Sequence, residues 1–226
     1  MHKIIDPAIL YFGTPVVLVS TLNEDGSPNL APMSSAWWLR YSCMLGFDAS
    51  SKTPANLLRT GECVLNLASA DMVDKVDRLA LLTGTNPPPP HKNRWGYRYE
   101  PDKFGTAGLT PIASERVAPP RVLECPVQLE AVLDDARPFG EKDPKYAGLN
   151  APLAIEVRVI RVHVDERLIA AGHPNRIDPT KWQPLIMNFR QFFGLGNILH
   201  PSRLSQFPEE AFKPRERLKT GTTGTA

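Results

Sequence analysis

Short stretches of alternating or β-branched apolar residues recur along the chain and predict a protein built mainly of β-strands. Residues 127–133 alternate between apolar and polar side chains, and residues 153–164 do the same with a change of phase at Ile160. A one-residue change of phase is typical of a β-bulge. Four more strands are predicted from apolar runs or extended segments bounded by turn-forming residues, at 15–21, 28–38, 43–47 and 62–68.

Helical spacing is confined to short segments. The clearest predicted helix covers residues 54–60, with Thr53 as its N-cap, Pro54 in its first turn and Gly61 at its end. A second predicted helix covers about 70–83, and a third lies near 209–212. About six strands with short helices favour a small closed β-barrel, although the same pattern also suits a sandwich.

Composition places the chain among ordinary globular proteins. Of its 226 residues, 42% are hydrophobic and 22% are charged, so a packed core can form. The net charge of +2 gives no reason to expect a nucleic-acid partner. Neither a signal-peptide core nor an apolar stretch of membrane-spanning length is present, so we expect no membrane association and a cytoplasmic location.

The cysteines argue against a metal site. Cys43, Cys63 and Cys125 lie far apart in apolar runs, and no CxxC pair exists. A zinc site is therefore not expected. Three unpaired cysteines in apolar surroundings indicate buried free thiols in a reducing compartment.

Two regions depart from the barrel pattern. Pro87–Pro90 are four consecutive prolines, which predict an exposed polyproline-like loop within an insertion at about 84–101. The Thr- and Gly-rich end predicts a tail at 211–226 that is disordered at its extremity. The predicted domain is thus 1–210.

The segment before the first predicted helix combines groups that suit a phosphate. A helix start offers unpaired backbone N–H groups and a partial positive charge. Two hydroxyls, an ammonium and an amide surround it, and together they could cradle a phosphate: Ser51, Lys52, Thr53 and Asn56. An ordinary helix cap is the alternative. The segment is not a P-loop, because no Gly-rich loop precedes the lysine.

A second segment could meet a planar ring. It mixes small, hydroxyl-bearing and proline residues with aromatic ones: Asn29, Pro32, Met33, Ser34, Ser35, Ala36 and Trp37. Such a strand can present its own backbone N–H and C=O groups to a heterocycle. Trp37 or Trp38 could form a wall, although either tryptophan could equally belong to the core or to a dimer contact.

In content and in order, these segments resemble the flavin reductase-like family, the FMN-binding split β-barrel proteins. The matching segments span roughly residues 10–200: 15–21, 26–34, 51–57, 61–67, 102–110, 126–130, 162–165 and 192–196. The resemblance implies a mainly β fold, a β-barrel with short helices, of the split-barrel type.

The resemblance also implies a cofactor and partners. The segment 51–56 would hold the FMN phosphate, and the strand at 29–37 would meet the isoalloxazine and ribityl chain largely through its backbone. Lys103 lies in a matching loop that approaches the flavin. Members usually form homodimers, take NADH or NADPH as electron donor, and can serve a partner oxygenase or another electron acceptor.

Three functions remain open from the sequence. The leading hypothesis is an FMN-dependent oxidoreductase of the flavin reductase type, which needs no catalytic acid or base from the protein because the cofactor carries the hydride chemistry. The second is an electron carrier without its own nicotinamide site, since the family's Gly-Asp-His signature is only partly echoed at Ala171-Gly172-His173. The third is a non-enzymatic β-barrel interaction module that offers Pro87–Pro90 to an aromatic groove.

Overall fold

A computed structural model of the protein describes residues 1–142 and 151–209. Its strands are β1 (Thr14–Pro15), β2 (Val17–Leu22), β3 (Pro28–Met33), β4 (Ala36–Leu39), β5 (Ser42–Phe47), β6 (Glu62–Leu67), β7 (Leu82–Thr83), β8 (Arg98–Tyr99), β9 (Pro111–Ile112), β10 (Arg121–Val122), β11 (Val127–Pro138), β12 (Leu153–Val164), β13 (Ile169–Ala170), β14 (His173–Ile177), β15 (Ile186–Asn188) and β16 (Gln191–Phe193). The α-helices are α1 (Lys52–Thr60), α2 (Val73–Asp77), α3 (Pro90–Arg94) and α4 (Lys103–Ala107), and 3-10 helices lie at Ala70–Met72, Glu166–Leu168 and Arg203–Gln206.

Seven strands form the main sheet, in the order β3-β2-β6-β11-β12-β5-β4 with every neighbouring pair antiparallel. Only Ser34 and Ser35 separate its two edge strands along the chain, so the sheet must curl to bring those edges together. Across the described residues β3 and β4 share no ladder, so the curl stays open as a split barrel. The mainly β prediction is confirmed, whereas full closure is wrong.

The predicted strands and bulge are found where the apolar pattern put them. On β11 and β12, Glu130 pairs with Arg161 and the next residue, Ala131, pairs with Val159. Ile160 is therefore the extra residue of a β-bulge, as the change of phase predicts.

The core has two parts because β2 is buried on both faces. Val17 and Val19 point into the cluster inside the curled sheet, whereas Leu18, and Val16 just before the strand, point into a second cluster outside it. The second cluster includes residues of α2 and α4, such as Val76 and Phe104, and packs both helices against the barrel. The continuous β-branched run of β2 follows from this double burial.

The predicted helices are only partly right. Helix α1 begins at Lys52, and its N-cap is Ser51 in an extended conformation, so Thr53 lies inside the first turn rather than at the cap. Gly61 closes the helix as predicted, with φ of 73° and its N–H donating to the Leu57 carbonyl at 2.8 Å. Glycine reaches this left-handed conformation without a Cβ clash.

The second predicted helix, 70–83, is much shorter in the structure. It consists of the 3-10 turn Ala70–Met72 and α2, after which the chain turns and forms β7. Leu81 adopts a φ of +56°, which ends any helix there. Met72, Val76 and Leu79 are nevertheless buried, so their helical spacing indicated a buried face and overstated the length of the helix. The third predicted helix falls almost entirely outside the described residues, which stop at Glu209.

The insertion at 84–101 is folded at both its base and its tip. Strands β7 and β8 pair in parallel at its base, and α3 forms between them. Pro90 is the first residue of α3, where its fixed φ and missing N–H suit a helix start. The prediction of an exposed polyproline-like loop is therefore wrong at its last proline, and Pro88 and Pro89 are half-buried.

Glu130 organises a buried polar cluster on the opposite side of the strand from the core. Its side chain is fully buried, and it accepts hydrogen bonds from the backbone N–H groups of Glu115 and Arg116 at 2.9 and 2.6 Å. His163 Nε2 lies 2.7 Å from Oε1 of Glu130, so this histidine is paired. Burial alone would raise the pKa of Glu130, but these hydrogen bonds outweigh it and the pKa lies below its ordinary value.

The three cysteines are buried free thiols, as predicted, and burial raises the pKa of Cys43 to about 12. No helix in the described part of the chain is long and apolar enough to cross a membrane. Met1–Gly196 form one compact unit, and a second unit begins at Asn197. The predicted tail, 211–226, lies outside the described residues.

Candidate functional site

Three distant segments bring buried polar side chains together at the start of α1. Lys103 of α4 donates from Nζ to Oδ1 of Asn29 on β3 at 2.9 Å. Asn29 in turn donates from Nδ2 to Oγ1 of Thr53 at 3.1 Å. All three residues are buried, at 4%, 2% and 2% exposure. The sequence predicted all three as flavin-site residues, and the fold places them in one hydrogen-bonded chain.

Lys103 is a buried cation whose closest partner is neutral. The amide of Asn29 carries no charge to balance the ammonium. Burial, together with the nearby positive charge of Lys92, lowers the pKa of Lys103 to about 8. The site therefore holds positive charge at neutral pH that the surrounding protein does not fully stabilise.

Lys92 is the second buried cation, and the sequence analysis missed it. It lies on α3 with 9% exposure, and its Nζ donates to Oγ of Ser51 at 2.6 Å. Asp48 Oδ2 lies 3.3 Å from the same Nζ. Its only signal in the sequence was a lysine two residues after the proline run, and the sequence did not indicate where that segment would pack.

Lys52 points away from these groups. Its Nζ lies 2.6 Å from Oε2 of Glu24, a carboxylate whose side chain is 62% exposed. The start of the Lys52 side chain stays close to the site, because a Cβ built on Gly84 would come within 3.1 Å of its Cβ and Cγ. Lys52 therefore forms part of the wall, with its charge at the rim.

Asn56 supports the site from behind. Its Nδ2 donates to Oγ1 of Thr21 at 3.2 Å and to Oδ1 of Asn23 at 2.9 Å. Thr21 also accepts a hydrogen bond from Asn29 at 3.2 Å. The residue is fully buried and does not line the cavity, so it ties α1 to the β2–β3 turn.

Ser51, Lys52, Thr53, Lys92 and Lys103 line a cavity of about 150 Å³. Its walls come from β3, the start of α1, the segment 79–84 and the insertion: Ala31, Pro32, Met33, Phe47, Ser51, Lys52, Thr53, Leu79, Ala80, Leu81, Leu82, Thr83, Gly84, Lys92, Tyr97 and Lys103. Gly84 is required by close approach, since a Cβ there would come within 2.6 Å of Oδ1 of Asn29. The sequence analysis did not single out Thr83 or Gly84.

A larger cavity of about 360 Å³ adjoins the first one. The larger cavity is mainly apolar, with Val16, Met187 and Phe192 among its lining residues. The two cavities share five wall residues: Pro32, Met33, Ala80, Leu81 and Tyr97. Its volume falls in the range of about 300–1,000 Å³ that small-molecule sites occupy.

The second predicted segment is divided between the cavities and the rest of the fold. Pro32, Met33 and Ser34 line a cavity wall. Three others do not: the carbonyl of Ser35 accepts the N–H of Gly46 at 2.8 Å, Ala36 is buried in the barrel core, and Trp37 is 57% exposed.

The arrangement suits an anion attached to a flat apolar group. The smaller cavity offers two ammonium groups, the hydroxyls of Ser51 and Thr53, and the first N–H groups of α1, which no side chain of the N-cap satisfies. Such groups bind phosphate. The larger, mainly apolar cavity beside it has room for part of a ring system. These residues fit a phosphorylated flavin.

Comparison with known proteins identifies relatives along most of the chain. The family model described as Flavin reductase like domain matches residues 9–196. An uncharacterized protein of Bacillus subtilis (strain 168), YdfE, is 41% identical over 194 residues, which is 86% of this chain and 89% of the relative.

Two solved structures share the fold. Flavoredoxin of Desulfovibrio vulgaris (Miyazaki F) superposes with a TM-score of 0.71 at 22% identity, over 92% of this chain and all of the other. Nitrilotriacetate monooxygenase component B from Bacillus cereus superposes with a TM-score of 0.66 at 23% identity, over 86% of this chain and 89% of the other.

Proposed function

Because the chain belongs to the family of the flavin reductase like domain, we propose that it binds FMN and works as an oxidoreductase of the flavin reductase type. The observation that carries the proposal is the small cavity at the start of α1. Lys92 and Lys103 bring buried positive charge to its wall, and no carboxylate side chain among the described residues lines it. A phosphate supplies the missing negative charge, and FMN is the flavin that ends in one.

We assign the phosphate to the smaller cavity. Thr53 and Ser51 present hydroxyls, and Lys103 and Lys92 present ammonium groups. A charge-assisted hydrogen bond to each contributes roughly 1.5–3 kcal/mol. Asn29 orients Lys103, and Asn56 holds α1 against the β2–β3 turn. Lys52 adds long-range attraction from the rim.

We assign the ring system to the larger cavity. Pro32, Met33 and Ser34 would lie along the ribityl chain and the ring. Ser35, Ala36 and Trp37 do not line the cavity, and they would contribute by directing the backbone from β3 into β4 or by forming a subunit contact. When bound, the flavin would accept a hydride from NADH or NADPH. The protein's part is then to bind, orient and shield. No acid or base is assigned, and burial keeps the thiol of Cys43 protonated at neutral pH.

A homodimer is part of the proposal. Trp37, Leu39 and Tyr41 are 57%, 68% and 50% exposed around the edge strand β4, and large apolar side chains exposed together favour a protein contact. Sedimentation equilibrium would test it, and a monomer at micromolar concentration contradicts the homodimer. If the wild-type protein is a dimer, Trp37→Ser should weaken it.

An electron carrier is the second candidate, and the similarity to flavoredoxin supports it. A partner oxygenase is a possible acceptor for either role, supported by the similarity to nitrilotriacetate monooxygenase component B. Anaerobic mixing of the FMN-loaded protein with NADH or NADPH separates the two roles. Loss of flavin absorbance near 450 nm within seconds is expected for a reductase. Unchanged absorbance with both donors contradicts the reductase and leaves the carrier.

A further inference from the structure

The insertion at 84–101 contacts the start of α1 at two places. Thr85 Oγ1 donates to the Ser50 carbonyl at 3.4 Å near its base, and Lys92 reaches Ser51 at 2.6 Å from its tip. The insertion therefore folds back over the cavity at both places. Its helix α3 brings a lysine into the cavity wall from 41 residues further along the chain.

Lys92 is buried, although it belongs to a polar insertion. Lysines are almost never fully buried unless they are paired, because a desolvated ammonium is costly. Its carboxylate partner is Asp48, whose side chain is 39% exposed and does not line the cavity. The ammonium thus lies between a carboxylate on the outside and an anion-accepting cavity on the inside.

Asp48 holds this corner together. Its Oδ1 accepts hydrogen bonds from the backbone and hydroxyl of Ser50 at 2.9 and 2.8 Å. Its Oδ2 lies 2.9 Å from Nε2 of His91 and 3.3 Å from Nζ of Lys92. The carboxylate is therefore anchored beside α1 and binds two successive side chains of α3, which fixes the position of the helix.

The hydroxyl of Ser51 is free to serve a ligand. Ser51 is the N-cap of α1, yet its side chain makes no capping hydrogen bond. Its Oγ accepts from Lys92, so the hydroxyl proton can be donated to a group in the cavity. Lys92 and Ser51 are thus adjacent in the cavity lining, and each carries a hydrogen-bond donor.

We propose that the insertion completes the cofactor site: Lys92 is a phosphate ligand that gives selectivity for phosphorylated flavin, and Asp48 is the positioning residue that holds it there. The inference rests on the proposed binding of FMN at the start of α1. It assigns the insertion a binding role in place of the partner-docking role that its prolines suggested.

The test compares FMN with riboflavin, which lacks the phosphate, by titrating the quenching of flavin fluorescence. Lys92→Met should weaken FMN binding about 10- to 100-fold, because one charge-assisted hydrogen bond is lost, and leave riboflavin binding unchanged. Lys92→Arg should retain part of the selectivity. The matched control is Arg94→Met, since Arg94 lies exposed on the same helix outside both cavities and should leave both affinities unchanged.

Asp48→Asn tests the positioning role through a double-mutant cycle. The single variant should lower the preference for FMN, and the combination with Lys92→Met should lose no more than Lys92→Met alone. Fully additive losses would overturn the role of Asp48.

The outcomes separate the role of Lys92 from the proposed binding of FMN. Equal loss of FMN and riboflavin in Lys92→Met, or an unchanged preference for FMN, would overturn the inference while the proposed FMN binding stands. A wild-type protein that binds neither flavin contradicts the proposed function itself, and one that binds both equally contradicts the phosphate site on which the inference rests.

Discussion

Two buried charged groups in this molecule have opposite surroundings. Glu130 receives two backbone N–H groups and His163, and its pKa lies below the ordinary value, so the fold stabilises its charge. Lys103 donates to the neutral amide oxygen of Asn29, and burial and the nearby charge of Lys92 lower its pKa to about 8, so the fold disfavours its charge. The protein itself stabilises the charge of Glu130, whereas the charge of Lys103 would be stabilised by a bound anion.

This difference distinguishes a structural cluster from a binding site. The carboxylate of Glu130 holds the segment around Glu115 and Arg116 against the sheet, and it lines neither of the two cavities beside α1. The ammonium of Lys103 faces a cavity beside a helix start. Removal of Glu130 should therefore affect stability, whereas removal of Lys103 should affect ligand binding.

The largest effect is expected for Glu130→Ala. Two backbone donors and His163 would lose their buried acceptor, which should lower the free energy of unfolding by about 3–5 kcal/mol in urea titrations. Glu115→Ala is the control, because that side chain is 55% exposed and pairs only at the surface with Arg161 at 3.2 Å. If Glu130→Ala lowered the free energy of unfolding by less than about 1 kcal/mol, the contrast between a structural Glu130 and a ligand-binding Lys103 would fail.

Lys103→Met should give the reverse result. We expect the free energy of unfolding to stay the same or rise, since a poorly stabilised buried charge is removed. FMN affinity should fall about 10- to 100-fold while riboflavin affinity changes little. Calorimetry of the protein with each flavin measures both affinities, and a strong loss of stability without a loss of FMN selectivity would make Lys103 structural.

The FMN affinity should also depend on pH. Lys103 is protonated below its pKa of about 8 and loses its charge above it, so FMN binding weakens as the pH rises through that value. One proton linked to binding gives at most about a tenfold change per pH unit. Riboflavin binding, and FMN binding to Lys103→Met, should stay flat between pH 7 and 9. A flat profile for FMN with the wild-type protein would contradict the role of Lys103.

The smallest effect is expected for Lys52→Ala. Its ammonium pairs with the exposed Glu24 at the rim, where solvent weakens its attraction for a phosphate. FMN affinity should fall less than about fivefold, which is below the loss expected for Lys103→Met. A larger loss for Lys52→Ala in the same titration would move the phosphate toward the rim.

The sequence predicts the strands well because each depends on its own local pattern, either an alternation or a short apolar run. Ile160 marks its bulge by a change of phase that needs no knowledge of the partner strand. Thr53 and Asn29 could be proposed for the site because the resemblance covers their motifs, and the fold then joins them through one hydrogen bond.

The rest depends on tertiary contacts that local patterns do not contain. In the sequence, Lys52 resembles a phosphate ligand because it stands at the start of a helix. In the fold its ammonium pairs with the exposed carboxylate of Glu24, which places the charge at the rim of the cavity. Lys92 lies 41 residues from Ser51 in a proline-rich insertion, and only the packing of α3 shows that it reaches the cavity. Gly84 matters because Asn29 approaches it closely, which no periodicity reveals.

The central claim is that the phosphate of FMN binds at the start of α1 between the two buried ammonium groups. A crystal structure of the protein grown with FMN tests it most directly. The account predicts phosphate density within hydrogen-bond distance of Nζ of Lys103 and Nζ of Lys92, with the ring in the larger cavity beside Pro32 and Met33. Flavin density elsewhere, with both ammonium groups contacting only Asn29, Ser51 and Asp48, would contradict it.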